Sequence, residues 1–476
     1  MRRLPRRAVL ALSVALIAAP PALARDPVPT QRASVQQRQP NIVVFLADDL
    51  GYRDTTPGGD RDARTPNLAK LAAEGLSFDQ AFVASPACAP SRAALLTGLM
   101  PARNGAEANH DKARDDVRKL PAYLRAQGYQ VVAFGKVAHY KHTKDYGFDH
   151  FAHDTFHDHD GVPAAISWLK ARTDKRPLAI FVGSNWPHVP WPESSEGFDP
   201  AAIKLPPKSI DTPQTREARA RYHAAVARMD KELGETLAAV DATLGKDSLV
   251  LFSSDHGAQW PFGKWNLYDT GTRTPLIVRW PGQVKPGSRT QAMVSWVDIL
   301  PTLVEVAGGK PSTELDGRSF AAALRPEGGF KGRAEIFTTH NNDVSINVFP
   351  MRSVRTARWK YIVNMRPDTL FTTHIDQWAG RLGSGAYFPS WRRAAEGDAK
   401  AKAIVDAYYT RPPEELYDLS ADSDETRNLA SDPRFKGVMV KLRARLADWR
   451  RDQGDEHPVK GKPHFERGPV DGRPED

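Results

Sequence analysis

One short stretch of the chain combines a nucleophile, the start of a helix and a fixed positive charge. Cys88 is the only cysteine among the 476 residues, and Pro90 and Arg92 follow it closely. Pro90 suits the first position of a helix, and residues 93–96 are a strong helix-forming run. Cys88 therefore precedes a helix N-terminus, where unpaired N–H groups attract anions, and Arg92 adds a cation suited to a tetrahedral oxyanion. The stretch predicts an activated group that faces an anion; a small buried hydrophobe is the alternative interpretation of Cys88.

Polar side chains follow four predicted buried strands, at 41–47, 131–134, 178–183 and 249–254. In strand order these side chains are Asp48 and Asp49, Lys136 and His139, His188, and Asp255 and His256. In α/β proteins the carboxyl ends of the strands form the functional edge of the sheet, so we expect these groups to meet there. Two adjacent carboxylates repel each other unless a cation lies between them, so the pair after the first strand indicates a divalent metal. Ordinary turns after the first and last strands are the alternative interpretation.

The order of the predicted elements indicates an α/β fold. Helices are expected from residue 65, over 120–127 and over 212–244, and they alternate with the strands. This alternation predicts a large, doubly wound, mostly parallel sheet.

The pattern changes after residue 330. Residues 352–364 alternate like an exposed antiparallel hairpin, 415–419 form a short strand and 432–451 an amphipathic helix. We interpret this part as a smaller C-terminal α+β domain with an antiparallel sheet, and the irregular residues 366–412 as an insertion able to overhang the site. The expected organisation is a signal peptide (1–24), a flexible lead-in (25–39), a catalytic domain (40–330), the C-terminal subdomain (331–452) and a polar tail (453–476).

The N-terminus has the features of an export signal. Four arginines precede an apolar run over 8–19 and a small-x-small cleavage motif at 22–24. The pair at 6–7 also resembles a twin-arginine signal, so the export route stays open. No later segment approaches the roughly 20 apolar residues of a membrane helix, and the net charge of +9 is not concentrated in a basic block with interleaved aromatics. We expect a periplasmic or secreted protein with no nucleic-acid partner and no stable membrane insertion.

The motif Cys-Ala-Pro-Ser-Arg at 88–92, continued by Ala-Ala-Leu-Leu-Thr-Gly at 93–98, resembles the signature of the type I, formylglycine-dependent sulfatases of the alkaline-phosphatase-like superfamily. The resemblance implies that a formylglycine-generating enzyme converts Cys88 to formylglycine, whose hydrated aldehyde supplies the nucleophile. It also implies a metal site made of Asp48, Asp49, Cys88, Asp255 and His256. Three carboxylates suit a hard cation, so Ca²⁺ is the expected metal, with Mg²⁺ or Mn²⁺ as alternatives.

Further motifs resemble catalytic elements of the same family. Lys136 and His139 match a Gly-Lys-x-x-His element, His188 a Pro-His-x-Pro element, and Lys264 the basic residue that touches the sulfate oxygens. The resemblance implies that Arg92, Lys136 and Lys264 neutralise the sulfate. It further implies that His188 or Lys264 protonates the leaving group, and that His139 takes the proton of the second hydroxyl. Solvated surface lysines and a core histidine are the alternative interpretations.

Several stretches resemble the sulfamidase branch, the N-sulfoglucosamine sulfohydrolases, among them 264–268, 349–352 and 415–418. That branch has Asn where His256 stands and Arg where Lys264 stands, which leaves N- and O-sulfates both open. The expected substrate is a sulfated carbohydrate, with heparan-type N-sulfoglucosamine favoured. The alternatives are a phosphonate monoester or phosphodiester hydrolase of the same superfamily, and a non-catalytic glycan-binding protein if Cys88 is not matured.

Overall fold

The strands lie in two main sheets. The computed structural model describes residues 39–326, 329–378 and 385–456; the expected signal peptide, the lead-in up to residue 38 and the tail from residue 457 lie outside them. Within the described residues the strands are β1 (Ile42–Ala47), β2 (Leu76–Phe78), β3 (Ala81–Phe82), β4 (Gln130–Gly135), β5 (His150–Ala152), β6 (Leu178–Gly183), β7 (Leu249–Ser254), β8 (Leu276–Arg279), β9 (Ser288–Thr290), β10 (Val294–Ser295), β11 (Ile336–Asp343), β12 (Asn347–Arg355), β13 (Trp359–Asn364) and β14 (Glu414–Asp418).

The larger sheet has eight strands in the order β5-β4-β6-β1-β7-β8-β2-β9. The five strands from β5 to β7 are all parallel, and β8 runs antiparallel to both of its neighbours. This order confirms the predicted mostly parallel sheet. The short strands β2 and β3 are separated by a turn at Asp79 and Gln80.

Helices cover both faces of this sheet. Within the described residues they are α1 (Pro66–Glu74), α2 (Cys88–Thr97), α3 (Pro101–Asn104), α4 (Leu120–Arg125), α5 (Gly161–Ala171), α6 (Pro213–Thr243), α7 (Asp269–Thr272), α8 (Ile299–Val306), α9 (His374–Gln377), α10 (Phe388–Ala395), α11 (Ala399–Tyr409) and α12 (Lys436–Gln453). α1, α4 and α6 match expected helices. None of the described helices is long and apolar enough to cross a bilayer.

The central strand β1 shows why the sheet is covered on both sides. Val43 and Phe45 lie in one apolar core together with residues of α5 and α6. Val44 and Leu46 point the other way, into a second core that includes residues of α2 and α8. Because side chains alternate along a strand, a run without polar residues must be buried on both faces. The strand therefore ends in the interior, and so do the two acids that follow it.

The smaller sheet is antiparallel, in the order β11-β12-β13-β14. The expected hairpin is present as β12 and β13, but it is not exposed: β12 is buried along its whole length. The reason is that β11 and β13 flank β12, while Leu446 and Trp449 of α12 belong to the apolar core under this sheet.

The interpretation of residues 366–412 as irregular was wrong, because α9, α10 and α11 lie in this range. The Asp398 side chain caps α11 by accepting hydrogen bonds from the first-turn N–H groups. Trp391 and Tyr408 bury the apolar sides of α10 and α11. Two sequence features indicate these helices: the capping residue Asp398 and the regularly spaced aromatic residues. They are hard to detect because the segment contains many polar residues.

A buried ion pair fixes the end of the described chain to the smaller sheet. Arg352 of β12 donates from Nε to Oδ2 of Asp455 at 2.5 Å and from Nη2 to Oδ1 at 2.6 Å, and both side chains are only 1% exposed. Asp455 lies in the segment that the sequence analysis assigned to the polar tail.

We predict that Asp455→Ala lowers the free energy of unfolding by about 3–5 kcal/mol, because it leaves the Arg352 guanidinium buried without its carboxylate. Urea unfolding followed by tryptophan fluorescence measures the change. The control is Asp452→Ala, which removes an exposed carboxylate three residues away and should stay within about 0.5 kcal/mol of the parent. Equal unfolding midpoints for the two variants would contradict the prediction.

Candidate active site

The ends of β1 and β7 and the start of α2 meet in a buried cluster of metal-ligating groups. One side-chain ligand atom from each of Asp49, Cys88, Asp255 and His256 lies within 4.8 Å of the others, and each residue is at most 1% exposed. β1 and β7 are neighbours in register, so the residues that follow them lie side by side. A left-handed turn at Asp49 (φ 67°) directs its backbone N–H to Oδ1 of Asp255 at 3.0 Å.

The hydrogen bonds of His256 show that this cluster fits a cation. Its Nδ1 lies 3.0 Å from the Gly257 carbonyl oxygen, which only accepts, so Nδ1 carries a proton. In the neutral ring the Nε2 lone pair then faces Cys88 Sγ at 3.2 Å, Asp49 Oδ1 at 3.4 Å and Asp255 Oδ2 at 3.7 Å. A lone pair opposite two carboxylates in a buried site is unfavourable unless a positive charge lies between them. The donor set therefore fits a divalent metal ion.

Asp48 faces a different set of partners from Asp49. Lys136 donates from Nζ to Oδ2 of Asp48 at 2.6 Å, and Arg92 Nη2 lies 3.2 Å from Oδ1. Burial would raise the pKa of Asp48, but Lys136, His188 and Arg92 hold it well below the ordinary value. The structure thus places Asp48 against two cations, with Oδ1 3.9 Å from Cys88 Sγ.

Arg92 is fully buried and is engaged with the chain's own carboxylates. Its Nε donates to Asp255 Oδ2 at 2.8 Å, and its Nη1 donates to the Lys136 carbonyl. Arg92 therefore joins the acids that follow β1 and β7 to the segment that follows β4, and it fixes their relative positions.

Lys136 reaches the cluster because the ends of β4 and β6 approach closely. Its backbone N–H donates to the Gly183 carbonyl at 3.0 Å. A Cβ atom at Gly183 would lie 2.1 Å from the Lys136 carbonyl oxygen, so only glycine fits there. The Lys136 ammonium lies 3.6 Å from Cys88 Sγ, so a cation stands directly beside the candidate nucleophile.

Cys88 is poorly suited to react as a thiol. Burial raises its pKa far above the ordinary value, Asp255 and Asp48 raise it further, and Lys136 and Lys264 only partly offset this. Because the thiolate is the reactive form of cysteine, a buried thiol among carboxylates is unreactive. These surroundings therefore suit a nucleophile at position 88 other than a thiol.

Lys264 and His188 both face Asp49, whereas Lys136 pairs with Asp48. Lys264 Nζ lies 3.0 Å from both carboxylate oxygens of Asp49. His188 Nδ1 lies 2.6 Å from the Val189 carbonyl oxygen, which leaves Nε2 directed at Asp49 Oδ2 at 3.9 Å. Burial, with Lys264 and Lys136, lowers the pKa of His188 well below the ordinary value.

Comparison with known proteins identifies the family. The sulfatase family model matches residues 40–309, which is more than half of the chain. The chain belongs to the sulfatase family. It is therefore a hydrolase of sulfate esters or sulfamates, and membership implies formylglycine at the nucleophile and a divalent metal. A second model, described as the C-terminal region of N-sulphoglucosamine sulphohydrolase, matches residues 256–378.

Two curated sulfatases and one solved structure cover most of the chain. An ulvan-active sulfatase of Formosa agariphila is 32% identical over 89% of this chain and 82% of its own length. Human N-sulphoglucosamine sulphohydrolase is 30% identical over 88% and 91%. A structure solved with its substrate D-glucosamine-2-N,6-O-disulfate superposes with a TM-score of 0.68 at 18% identity, covering 88% of this chain and 99% of that chain. The last comparison confirms the expected fold.

The structure brings the sequence-predicted residues other than His139 into direct contact with one another around Cys88. His139 Nε2 lies instead 2.9 Å from Nδ1 of His110. His110 and Asp343, which lies 3.2 Å from His110, were missed by the sequence analysis. Neither residue follows a strand of the parallel sheet, so the signal that identified the other residues was absent.

We predict that Ca²⁺ added to the metal-free sulfatase stabilises it by about 2–3 kcal/mol at a hundred times Kd, because the ion binds only the folded protein. Thermal unfolding with Ca²⁺, Mg²⁺ and Mn²⁺ measures the effect, and Asp255→Asn should abolish most of it. The control is Asp158→Asn, which changes a more exposed group formed by His153, Asp158 and Asp160. A stabilisation lost in the control but kept in Asp255→Asn would place the ion in that other group.

Proposed function

We propose that this sulfatase releases inorganic sulfate from sulfated sugars, with heparan-type N-sulfoglucosamine as the first candidate substrate. The observation that carries the proposal is the placement of Cys88, at a helix start and within 4.0 Å of Asp48, Asp49, Lys136 and His256. The match of residues 256–378 to the sulphoglucosamine family model and the human relative support the choice of sugar. Maturation by a formylglycine-generating enzyme and a periplasmic or secreted location belong to the same proposal.

The buried residues divide the work of binding and proton transfer. Formylglycine hydrate at position 88 would supply the nucleophile. A divalent ion held by the predicted ligands Asp48, Asp49, Asp255, His256 and residue 88 itself would supply a positive charge beside it. Lys136 and Lys264 exchange part of their contact with the aspartates for the sulfate oxygens, and both stay cationic because neighbouring acids raise their pKa above the ordinary value despite burial. Fixed cations in a water-poor site stabilise the charge that develops on the sulfate.

Four side chains have other tasks, and Lys264 has one in addition to its contact with the sulfate. Arg92 holds Asp48 and Asp255 in place, as its hydrogen bonds show. His188 and Lys264 are the candidate proton donors to the leaving oxygen or nitrogen, since both lie beside Asp49. Lys264 carries its proton at rest, whereas His188, whose pKa is lowered, must first be protonated at Nε2. His139 takes a proton during sulfate release. A sulfamate and a sugar ester need the same donor, because both leaving groups are poor without a proton.

We predict that protein matured in its native host carries formylglycine at Cys88 and hydrolyses N-sulfoglucosamine, whereas Cys88→Ala binds the sugar without turnover. Mass spectrometry of the peptide around Cys88 detects the aldehyde, and ion chromatography measures released sulfate. The substrate series adds 6-O-sulfated glucosamine, nitrophenyl sulfate and a phenyl phosphonate monoester. Full activity in Cys88→Ala would reject the proposed nucleophile, and turnover of the phosphonate alone would reject the sulfatase substrate class for this chain.

We predict that His188→Ala lowers kcat about a hundredfold on N-sulfoglucosamine and less than tenfold on nitrophenyl sulfate, because nitrophenolate leaves without a proton. Steady-state kinetics on the two substrates make the comparison. His157→Ala is the matched control, since its ring lies 5.6 Å from that of His188 and the variant should affect both substrates alike. Equal losses on both substrates in His188→Ala would leave Lys264 as the donor.

A further inference from the structure

We propose that His110 and Asp343 are positioning residues that hold His139 in the one tautomer able to accept a proton at Nδ1. The three side chains form a continuous chain of contacts. His139 Nε2 lies 2.9 Å from His110 Nδ1, and His110 Nε2 lies 3.2 Å from Asp343 Oδ1. The inference deepens the proposed function, because it rests on His139 as the proton acceptor.

The charge state of Asp343 determines which nitrogen of each histidine carries the proton. Oδ2 of Asp343 accepts hydrogen bonds from Asn109 Nδ2 and from Trp265 Nε1, both at 2.8 Å. An indole N–H can only donate, so this oxygen is an acceptor. Although burial raises the pKa of Asp343, the effects of His374, His110 and Lys264 hold it below the ordinary value, so the carboxyl is ionised. The other oxygen, Oδ1, is buried, lies 3.2 Å from His110 Nε2 and makes no hydrogen bond of good geometry within the described residues.

An ionised Oδ1 at 3.2 Å favours the His110 proton on Nε2, because a lone pair on that nitrogen would face the negative charge. In the neutral ring His110 Nδ1 is then an acceptor, and its neighbour His139 Nε2 must be the donor. His139 therefore keeps a free lone pair on Nδ1. That nitrogen is buried and has no hydrogen-bond partner in the described part of the chain. A buried acceptor without a partner is unfavourable in a resting structure and suits a group that receives a proton in the reaction.

The chain of contacts also partly offsets the environment that lowers the pKa of His139. Burial first, and then the Lys136 charge and His110, lower the pKa of His139 well below the ordinary value. Asp343 acts in the opposite direction, because a negative charge favours the protonated ring. The other charged or titratable groups that face the chain of contacts are Arg92, Tyr140, His142, His374 and Lys264.

Asn109 ties this chain of contacts to the nucleophile. Its Oδ1 accepts from the Ala89 backbone N–H at 3.0 Å, one residue beyond Cys88, while its Nδ2 donates to Asp343. In addition, the Asn109 backbone N–H donates to the Asn342 carbonyl at 2.9 Å. The end of β11 is therefore fixed against the start of α2, and the smaller sheet contributes a charged group to the site.

The test exchanges the carboxylate for an amide in Asp343→Asn. The amide oxygen takes the hydrogen bonds of Asn109 and Trp265, so the NH₂ group faces His110 Nε2. The proton then changes position on both imidazole rings. His110 donates from Nδ1 to His139 Nε2, so the His139 proton moves to Nδ1, and this tautomer has no lone pair there to act as a base. We expect kcat on the best sulfated substrate to fall about a hundredfold while KM stays within about twofold.

The tautomer itself is measured by two-bond ¹H–¹⁵N spectra of histidine-labelled protein in the unmatured thiol form. Wild type should carry the His139 proton on Nε2, and Asp343→Asn should carry it on Nδ1. His110→Asn breaks the chain of contacts at a half-exposed residue with φ 72°, where Asn is well tolerated. It should lower kcat as much as Asp343→Asn, and the double variant should be no worse than either.

The matched control is His142→Asn, whose ring centroid is 6.2 Å from that of His139 but which lies outside the chain of contacts. It should keep both the wild-type kcat and the wild-type tautomer. A wild-type proton on Nδ1, an unchanged tautomer in Asp343→Asn, or an equal loss in His142→Asn would overturn the inference. If matured wild type hydrolyses no sulfated substrate, the proposed function fails, while the spectra still decide the positioning role because they need no turnover.

Discussion

The requirement that every buried charge be paired controls the structure of this site. Three carboxylates, those of Asp48, Asp49 and Asp255, and three cations, Arg92, Lys136 and Lys264, are each at most 2% exposed. An ion removed from water costs several kcal/mol unless a partner compensates it. Each acid here has a cation within 3.2 Å, so the six groups are neutral together. A bound divalent ion would add two positive charges to this balanced set, which would favour an anionic sulfate.

The parallel sheet makes this concentration of charge possible. β1 and β7 have no charged residue along their length and are buried on both faces, so apolar burial, at about 25 cal/mol per Å², supports the strands that carry the acids. The same burial excludes water, and electrostatic interactions in such a place are stronger than at a surface. The pairing of these buried acids and cations therefore serves both folding and catalysis, and the same residues are involved in both.

The sequence was sufficient for features that depend on neighbouring residues in the chain. Apolar runs predicted the strands, and polar residues after them predicted the site edge. Pro90 predicted α2, but the helix begins two residues earlier than expected, at Cys88 itself. The sequence was insufficient where packing between residues far apart in the chain determines the position of a side chain. Asp48 and Asp49 are identical neighbours, yet a single left-handed residue sends one to Lys136 and the other toward His256. Asp343 and Asn109 are 234 residues apart, and no local pattern indicates that β11 ends beside α2.

The two departures from the sulfamidase pattern can be understood as one structural change. His256 and Lys264 both face Asp49, with Nε2 at 3.4 Å and Nζ at 3.0 Å from its Oδ1. Replacing Asn by His enlarges one neighbour of this carboxylate, and replacing Arg by Lys makes the other smaller. Arginine would present a planar fork to Asp49, whereas lysine presents a point charge that leaves room beside the imidazole. In this chain Asp49 therefore has a cationic partner in Lys264 and an imidazole neighbour in His256.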